Sequence, residues 1–306
     1  MLETFATLYK SFFGAGVVVA PEYLLLSLPI AWIIYKTARP GTGFWRWLTP
    51  AEIYFHKSHK LDLILFAIGR LMVFSGILGR ISLTTLIAVW VARVIPWSAP
   101  GTAMHPMLLT LLMWLISDVT SYWVHRIHHQ ISVLWPLHAV HHSAEVLTPF
   151  TAYRQHPLVI FSSLLPGSIL VGIGQGALIG TFDPNALIVT IAGVNTFILL
   201  ANLAMANFHH SHIWVSFGPL LERIIISPAQ HQIHHSTRPE HFDKNFGQTL
   251  ALWDWIFGSL YVIRDTEQPT FGISDADYAP LATHKIGPSL WHPVKRIYDI
   301  VIRQNR

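Results

Sequence analysis

The sequence predicts an all-α fold: an integral membrane helical bundle with a histidine-rich helical cap on its cytosolic side. Three observations predict it. Of 306 residues, 52% are hydrophobic and only 12% are charged, against roughly 25% charged in a soluble domain. Several apolar segments approach the ~20 residues that a spanning helix needs. Three histidine clusters punctuate the chain: His125-Arg126-Ile127-His128-His129, His138-Ala139-Val140-His141-His142 and His231-Gln232-Ile233-His234-His235. Their spacings of three and four place side chains on one helix face.

The elements follow in order. Segment A (14–35) qualifies as a span, with Pro21 and Glu22 near its outer end. Segment B (61–94) is too long for one span and contains Arg70 and Arg80, so it reads as one crossing plus an interfacial piece. Segment C (107–124) is apolar except for Ser117, Asp118 and Ser121. Segments D (158–179) and E (185–208) are joined by Thr181-Phe182-Asp183-Pro184-Asn185, a turn sequence, and form a hairpin. The hairpin returns the third cluster, and His209-His210-Ser211-His212, to the face that carries the first two. The organisation is then transmembrane helices over 1–124, the first two histidine boxes over 125–157, a transmembrane hairpin over 158–208, a third-box cap over 209–264 and a cytosolic tail over 265–306. Residues 100–264 form one integrated domain.

Charge sets the orientation. Lys36, Arg39, Arg46, Lys57 and Lys60 lie between A and B, whereas 96–104 carries no Lys or Arg and the D–E turn carries only Asp183. By the positive-inside rule the histidine face is cytoplasmic, in a multi-pass protein of the inner or cell membrane if the source is bacterial. The formal charge of +4 reads as this topology signal and not as a nucleic-acid patch. Trp32, Trp45, Trp47, Trp123, Trp135 and Trp214 fall where an interfacial belt belongs. The N-terminus lacks the basic region of a signal peptide.

With no cysteine, thiolate zinc, thiolate haem and iron–sulfur chemistry are excluded within this chain. Imidazole ligates as the neutral ring and suits Zn, Cu, Fe and Ni. Eight or more clustered histidines suit two ions better than one, which predicts a dinuclear site. Iron fits, because open positions on it take O2, and zinc remains an alternative. His56, His59, His105, His241, His284 and His292 stand alone and read as surface or core residues. A metal-binding or metal-transport membrane protein predicts histidines and acids inside the spans, whereas here they lie just past the span ends. A structural zinc in a silent relative is a further alternative. Ligating histidines usually give their other N–H to a carboxylate, carbonyl or water. Asp118, two turns before His125 and about 10 Å from it along the helix, is a candidate to orient a histidine of another box. Asp254, Asp243 and Glu145 are similar candidates, and Asn245 and Gly247 read as turn-shaping.

Beyond these spacings, whole words stand out. They are Asp118-x-x-x-Tyr122-Trp123-x-His125-Arg126-x-x-His129, Leu134-Trp135-x-x-His138-x-x-His141-His142-Ser143, Arg154-x-His156-Pro157, His231-x-x-His234-His235, Asp243-Lys244-Asn245-Phe246-Gly247 and Trp253-Asp254-x-x-Phe257-Gly258. In this order they resemble the fatty acid hydroxylase/sterol desaturase superfamily, over about residues 117–261. The resemblance implies a membrane di-iron oxygenase that uses O2 and two electrons to hydroxylate or desaturate lipids. It implies two iron ions held by His125, His129, His138, His141, His142, His231, His234 and His235, with His210 as a further ligand. His128 falls at a variable position of the motif. His156, His209 and His212 are open between ligand and outer role, and His212 stands where the family has asparagine. Asp118 and Asp254 are carried as residues that orient ligands. The expected partners are a lipid substrate from the bilayer and an external electron donor, since no flavin, nicotinamide or haem motif is present. The ether-lipid branch uses a reduced pterin. Leu111, Trp114, Phe150 and Phe197 are candidates to line the lipid's entry.

Overall fold

The computed structural model describes residues 2–14, 16–76, 80–95, 104–182, 188, 190–191, 194–202 and 206–304. The helices are α1 (Leu2–Phe13), α2 (Pro21–Ala38), α3 (Phe44–Leu48), α4 (Ala51–Tyr54), α5 (Lys57–Phe74), α6 (Arg80–Val94), α7 (Pro106–Gln130), α8 (Trp135–His142), α9 (Leu165–Phe182), α10 (Thr196–Ala201), α11 (Asn207–His209), α12 (Gly218–Leu221), α13 (Pro228–His234), α14 (Leu252–Ile256) and α15 (Ile286–Gln304). A minimal antiparallel ribbon, β1 (Thr190–Ile191) with β2 (Val194–Asn195), is the strand pairing among the described residues.

Two of these helices are long and apolar enough to cross a membrane: α7, and the helix Ile160–Phe182 formed by a π turn (Ile160–Leu164) running into α9. At 1.5 Å per residue the 25 residues of α7 extend about 37 Å, against a hydrocarbon core of about 30 Å. His105 starts α7, its Nδ1 accepting from the Met107 amide at 3.3 Å, and Pro106 takes the first turn, where no amide donor is needed. Segment C was expected to stop at 124. The helix continues six residues further, so the first histidine box rides on the last turns of an apolar helix.

Helix α9 lies between α6 and α7. Its glycines Gly172, Gly176 and Gly180 repeat every fourth residue and meet the α6 backbone. A Cβ would sit 2.9 Å from the Thr84 carbonyl oxygen at Gly172, 2.5 Å from that of Ala88 at Gly176 and 3.0 Å from that of Ala92 at Gly180. This is the small-residue seam by which membrane helices approach closely. The pairs ascend together, so α6 and α9 are parallel. On the other side Gly174 meets Ile116, Gln175 donates to the Met113 carbonyl at 3.2 Å and Gly167 meets Val124, so α7 is antiparallel to α9.

Three expectations differ from the observed elements. Segment A begins as turns and extended backbone that bury Val17, Val19 and Ala20. Its helix, α2, starts only where Pro21 can occupy the first turn, and α2 is not among the helices that pass as spans. Segment B divides into α5 and α6; Gly76, at φ +78°, follows the end of α5. Segment E is not one helix. Asn195 donates to the Thr110 carbonyl at 3.1 Å near the start of α7 and caps α10 by accepting from the Phe197 amide at 2.9 Å. Polar Asn195 interrupts what hydropathy alone reads as continuous. Residues 183–185 of the turn, much of the start of E and residues 96–103 of the loop before C lie outside the described residues.

The described part of the segment expected as a cytosolic tail, residues 265–304, packs against the rest of the chain. Tyr278 and Leu281 join Leu61, Leu65, Ala139 and Val140 in one core, with Ile286 and Leu290 of α15 against it. Beside that core lies Arg154, fully buried. It pairs with Asp62 at 2.8 Å, and donates to the Val140 carbonyl at 2.8 Å and to Ser143 Oγ at 2.9 Å. One guanidinium thus ties α5 to the last turn of α8, satisfying carbonyls that a helix end leaves open.

Candidate metal centre

Each box lies on or at the end of a helix. His125 and His129 are one turn apart on α7, α8 carries His138, His141 and His142, and α13 carries His231 and His234 with His235 as its C-cap. Ser227 starts α13 with a reciprocal capping box to Gln230. His210 follows α11.

The nine histidines fall into two groups, and within each the ligand atoms lie within 4.8 Å of one another. The first holds His125, His129, His138, His142 and His234; the second holds His141, His210, His231 and His235. Each H-x-x-H-H box serves both. Its outer positions one turn apart enter one group, and the remaining histidine enters the other. The groups abut: His142 and His235 stack with ring centroids 4.5 Å apart, and His138 lies 5.3 Å from His141.

The chemistry of these nitrogens fits metal ions. His210 Nε2 faces the Nε2 atoms of His231, His235 and His141 at 2.9, 3.2 and 3.3 Å. One ring nitrogen carries at most one proton and cannot bond three neighbours. In the first group His138 Nε2 faces those of His125 and His142 at 3.1 and 3.2 Å, while His129 Nε2 and His234 Nε2 are buried without a hydrogen-bond partner. Metal–imidazole bonds of about 2.1 Å set adjacent ligand nitrogens roughly 3.0–3.4 Å apart, which spans nearly all of these separations. Burial, and then neighbouring histidines, hold His138, His142, His210, His231 and His235 well below the usual imidazole range. Burial likewise takes His141 down to about 3. All are neutral, the form that ligates.

A loop from the cap orients the first group. His125 Nδ1 donates to the Phe246 carbonyl and His234 Nδ1 to the Lys244 carbonyl, both at 2.8 Å. A carbonyl only accepts, so both rings present a bare Nε2 to the centre. Positive φ at Asp243 (+58°) and Asn245 (+55°) lets the loop turn both carbonyls toward the histidines. Asn245 holds its own strained conformation by donating to the Gln230 carbonyl at 3.2 Å and accepting from the Tyr261 amide at 2.8 Å. Gly247, read from the sequence as turn-shaping, does not adopt positive φ. Its role is close approach instead: a Cβ there would lie 2.4 Å from the Leu250 carbonyl oxygen and 2.8 Å from Asp254 Oδ2.

The carboxylates stand one step further out than the sequence suggested. Asp254 touches no histidine. It accepts from the Phe246 amide at 2.8 Å, the Gly247 amide at 2.7 Å and Ser259 Oγ at 2.6 Å. It therefore holds the peptide whose carbonyl orients His125. Ser259 in turn accepts from the Tyr122 hydroxyl at 2.9 Å, which accepts from Arg126 at 2.7 Å. Asp118 does not orient a histidine of another box. It accepts from Trp253 Nε1 at 2.8 Å and the Leu250 amide at 3.3 Å, fastening the cap to α7. Glu145 pairs with His284 at 3.1 Å and Lys57 at 3.6 Å, away from both groups. Sequence reading missed Glu222, fully buried, which accepts from Ser227 Oγ at 2.8 Å and the Ile263 amide at 3.0 Å and so steadies the start of α13. No local pattern marks it.

The other histidines are engaged elsewhere. His128 bonds the Val124 carbonyl at 2.7 Å and Ser163 at 3.1 Å, His156 the Leu290 carbonyl at 2.9 Å, and His212 the Trp47 carbonyl at 2.8 Å. His209 bonds the Ile226 carbonyl at 3.3 Å and stacks on His231.

Comparison with known proteins agrees with this geometry. A family model described as fatty acid hydroxylase matches residues 110–259. Alkylglycerol monooxygenase of Homo sapiens is 28% identical over 262 residues, 82% of this chain and 48% of that protein. The Danio rerio protein of that name is 29% identical over 192 residues, 63% of this chain and 36% of that protein. Delta(7)-sterol 5(6)-desaturase erg3C of Aspergillus fumigatus is 31% identical over 160 residues, 49% of this chain and 47% of that protein. The chain thus spans about half or less of the length of the curated relatives it matches. No solved structure matches significantly. The matched segment 110–259 contains all nine histidines and is similar to the fatty acid hydroxylase family, with relatives among alkylglycerol monooxygenases and a sterol desaturase.

Proposed function

We propose that the protein is a membrane-embedded non-haem di-iron oxygenase that oxidises an unactivated C–H bond of a lipid. The observation that carries this reading is the division of nine histidines into abutting groups of five and four, at the end of the longest apolar helix. Bound there, two iron ions supply the reaction of O2 and two electrons with an alkyl carbon. The chain's own residues bind and orient. The nine imidazoles hold the ions, the Lys244 and Phe246 carbonyls fix two of the rings, and Asp254 holds that loop in place. Burial keeps water from the centre. Trp114 and Phe197, stacked 5.7 Å apart between α7 and α10, with Leu111, form the apolar wall along which a lipid tail enters. Phe150 packs instead against His59 and Phe66.

The first substrate class to test is an ether lipid, because relatives from several animals are named alkylglycerol monooxygenase. Sterols come next, on the desaturase relative. Electrons come from a separate reductase or carrier, with a reduced pterin to be assayed for the ether-lipid reaction. The charge asymmetry supports a cytoplasmic histidine face.

The test is metal analysis of anaerobically purified protein, followed by lipid profiles of cells expressing the parent or His138→Ala. Two irons per chain and an oxidised lipid lost in the variant support the proposal. A single tightly held zinc with unchanged lipids refutes it.

A further inference from the structure

Helix α15 has three faces, and only one is accounted for by packing. Its inward face carries buried Ser289 and Pro293, with Ile286 and Leu290 against the core that holds Ala139 and Val140 of α8. A second face carries exposed Lys295 and Arg303, together with His292, Asp299 and Arg296, and exposed Lys285 directly precedes the helix. His292 donates to the Asp277 carbonyl at 2.8 Å and Arg296 pairs with the Asp277 carboxylate, pinning the helix to its neighbour. Between these faces runs a stripe of Trp291, Val294, Tyr298 and Ile302, at helical spacing. Trp291 is 69% exposed, Tyr298 65% and Ile302 38%.

The depth of this stripe is set by a hydrogen bond. His156 Nδ1 accepts from the Leu158 amide at 3.1 Å, so its Nε2 carries the proton and donates to the Leu290 carbonyl at 2.9 Å. His156 lies four residues before Ile160, where the second apolar helix begins. The neighbouring Leu290 therefore holds α15 level with the end of a helix that enters lipid. A Trp and a Tyr on an apolar stripe, bordered by Lys and Arg, are the composition of a helix lying in the headgroup region.

We infer that α15 lies along the phospholipid surface on the histidine-box side, with Trp291, Tyr298 and Ile302 in the acyl boundary and Lys285, Lys295 and Arg303 toward phosphates. The inference rests on the membrane reading above. Its consequence is that the last helix seats box two against the bilayer, since the opposite face of α15 packs on α8.

The chain's lack of cysteine permits a direct test. Single cysteines at Trp291, Tyr298, Ile302 and Lys295, and at Ile173 on α9 as a reference, are nitroxide-labelled in the full chain reconstituted in phospholipid nanodiscs. Ile173 is 46% exposed and faces lipid on the membrane reading. Relaxation by O2 and by a water-soluble nickel chelate is then compared. The three stripe positions should match Ile173→Cys, with O2 favoured several-fold over nickel, and Lys295→Cys should show the reverse. Stripe labels open to nickel beside a lipid-buried Ile173→Cys overturn this inference and leave the membrane reading standing. An Ile173→Cys label open to nickel overturns both. Shielding of the stripe from both reagents, with spin–spin broadening between chains, assigns the stripe to a second copy and overturns the lipid assignment.

Discussion

The two histidine groups are built from the same boxes but supported differently. In the first, His125 and His234 each anchor Nδ1 on a carbonyl of one loop, and Asp254 locks that loop. In the second, Nδ1 of His231 and His235 is buried without a hydrogen-bond partner, and Nδ1 of His141 lies beside the Thr151 and Arg154 carbonyls outside hydrogen-bond geometry. The second group also has one histidine fewer. Partners beyond the ligands typically change metal affinity about 10–100-fold. The comparison teaches that a twice-used motif does not make two equivalent sites. The first group is preorganised by the cap, whereas the second would take its final geometry from a bound ion.

Four experiments bear on that asymmetry. The largest effect belongs to His210→Ala. His210 Nε2 faces all three other members of the second group, so the variant should retain one iron per chain and lose activity to background; full iron content by mass spectrometry would contradict the assignment. Next is Asp254→Asn, which places an amide against two backbone donors. It should weaken the first ion about 10–100-fold, erasing the difference between the groups in a chelator titration. In the parent, the same titration should run in two steps, the second group emptying first; a single step would mean that the loop confers no advantage. Gly247→Ala forces a Cβ toward the Leu250 carbonyl and should cost about 1–3 kcal/mol, read as a lower unfolding midpoint with both irons retained. Smallest is His128→Ala. It loses bonds to Val124 and Ser163, worth about 1 kcal/mol each at most, and should keep both ions; loss of an iron would make His128 a ligand.

Much of the site was legible in the sequence because imidazole is a distinctive ligand and helical spacing is local. The nine residues singled out are the nine that converge. Their partition was not legible. Nothing local says that His141 leaves its neighbours His138 and His142 for a group with His210 and His231, since that depends on how α8 lies between α7 and α13. The carboxylates were read as direct partners because Asp118 and Asp254 stand close in sequence to histidines or aromatic words. In the fold, backbone carbonyls occupy those places, and a carbonyl has no sequence signature. The pairing of Asp62 with Arg154 across ninety-two positions is invisible for the same reason. Hydropathy found α7 and the helix 160–182 because each carries a long, mostly apolar run. It overran at segment E, where Asn195 turns the chain.

By itself, then, the sequence determined the chemistry and the helical character: ligand type, number, spacing, the absence of thiolate and the deficit of charge are properties of residues and of near neighbours. Tertiary structure alone decided which histidine joins which group, which loop carbonyls aim the rings and where the last helix packs. Each of those depends on contacts between segments tens to more than a hundred residues apart, and side-chain periodicity carries no information about distances of that kind.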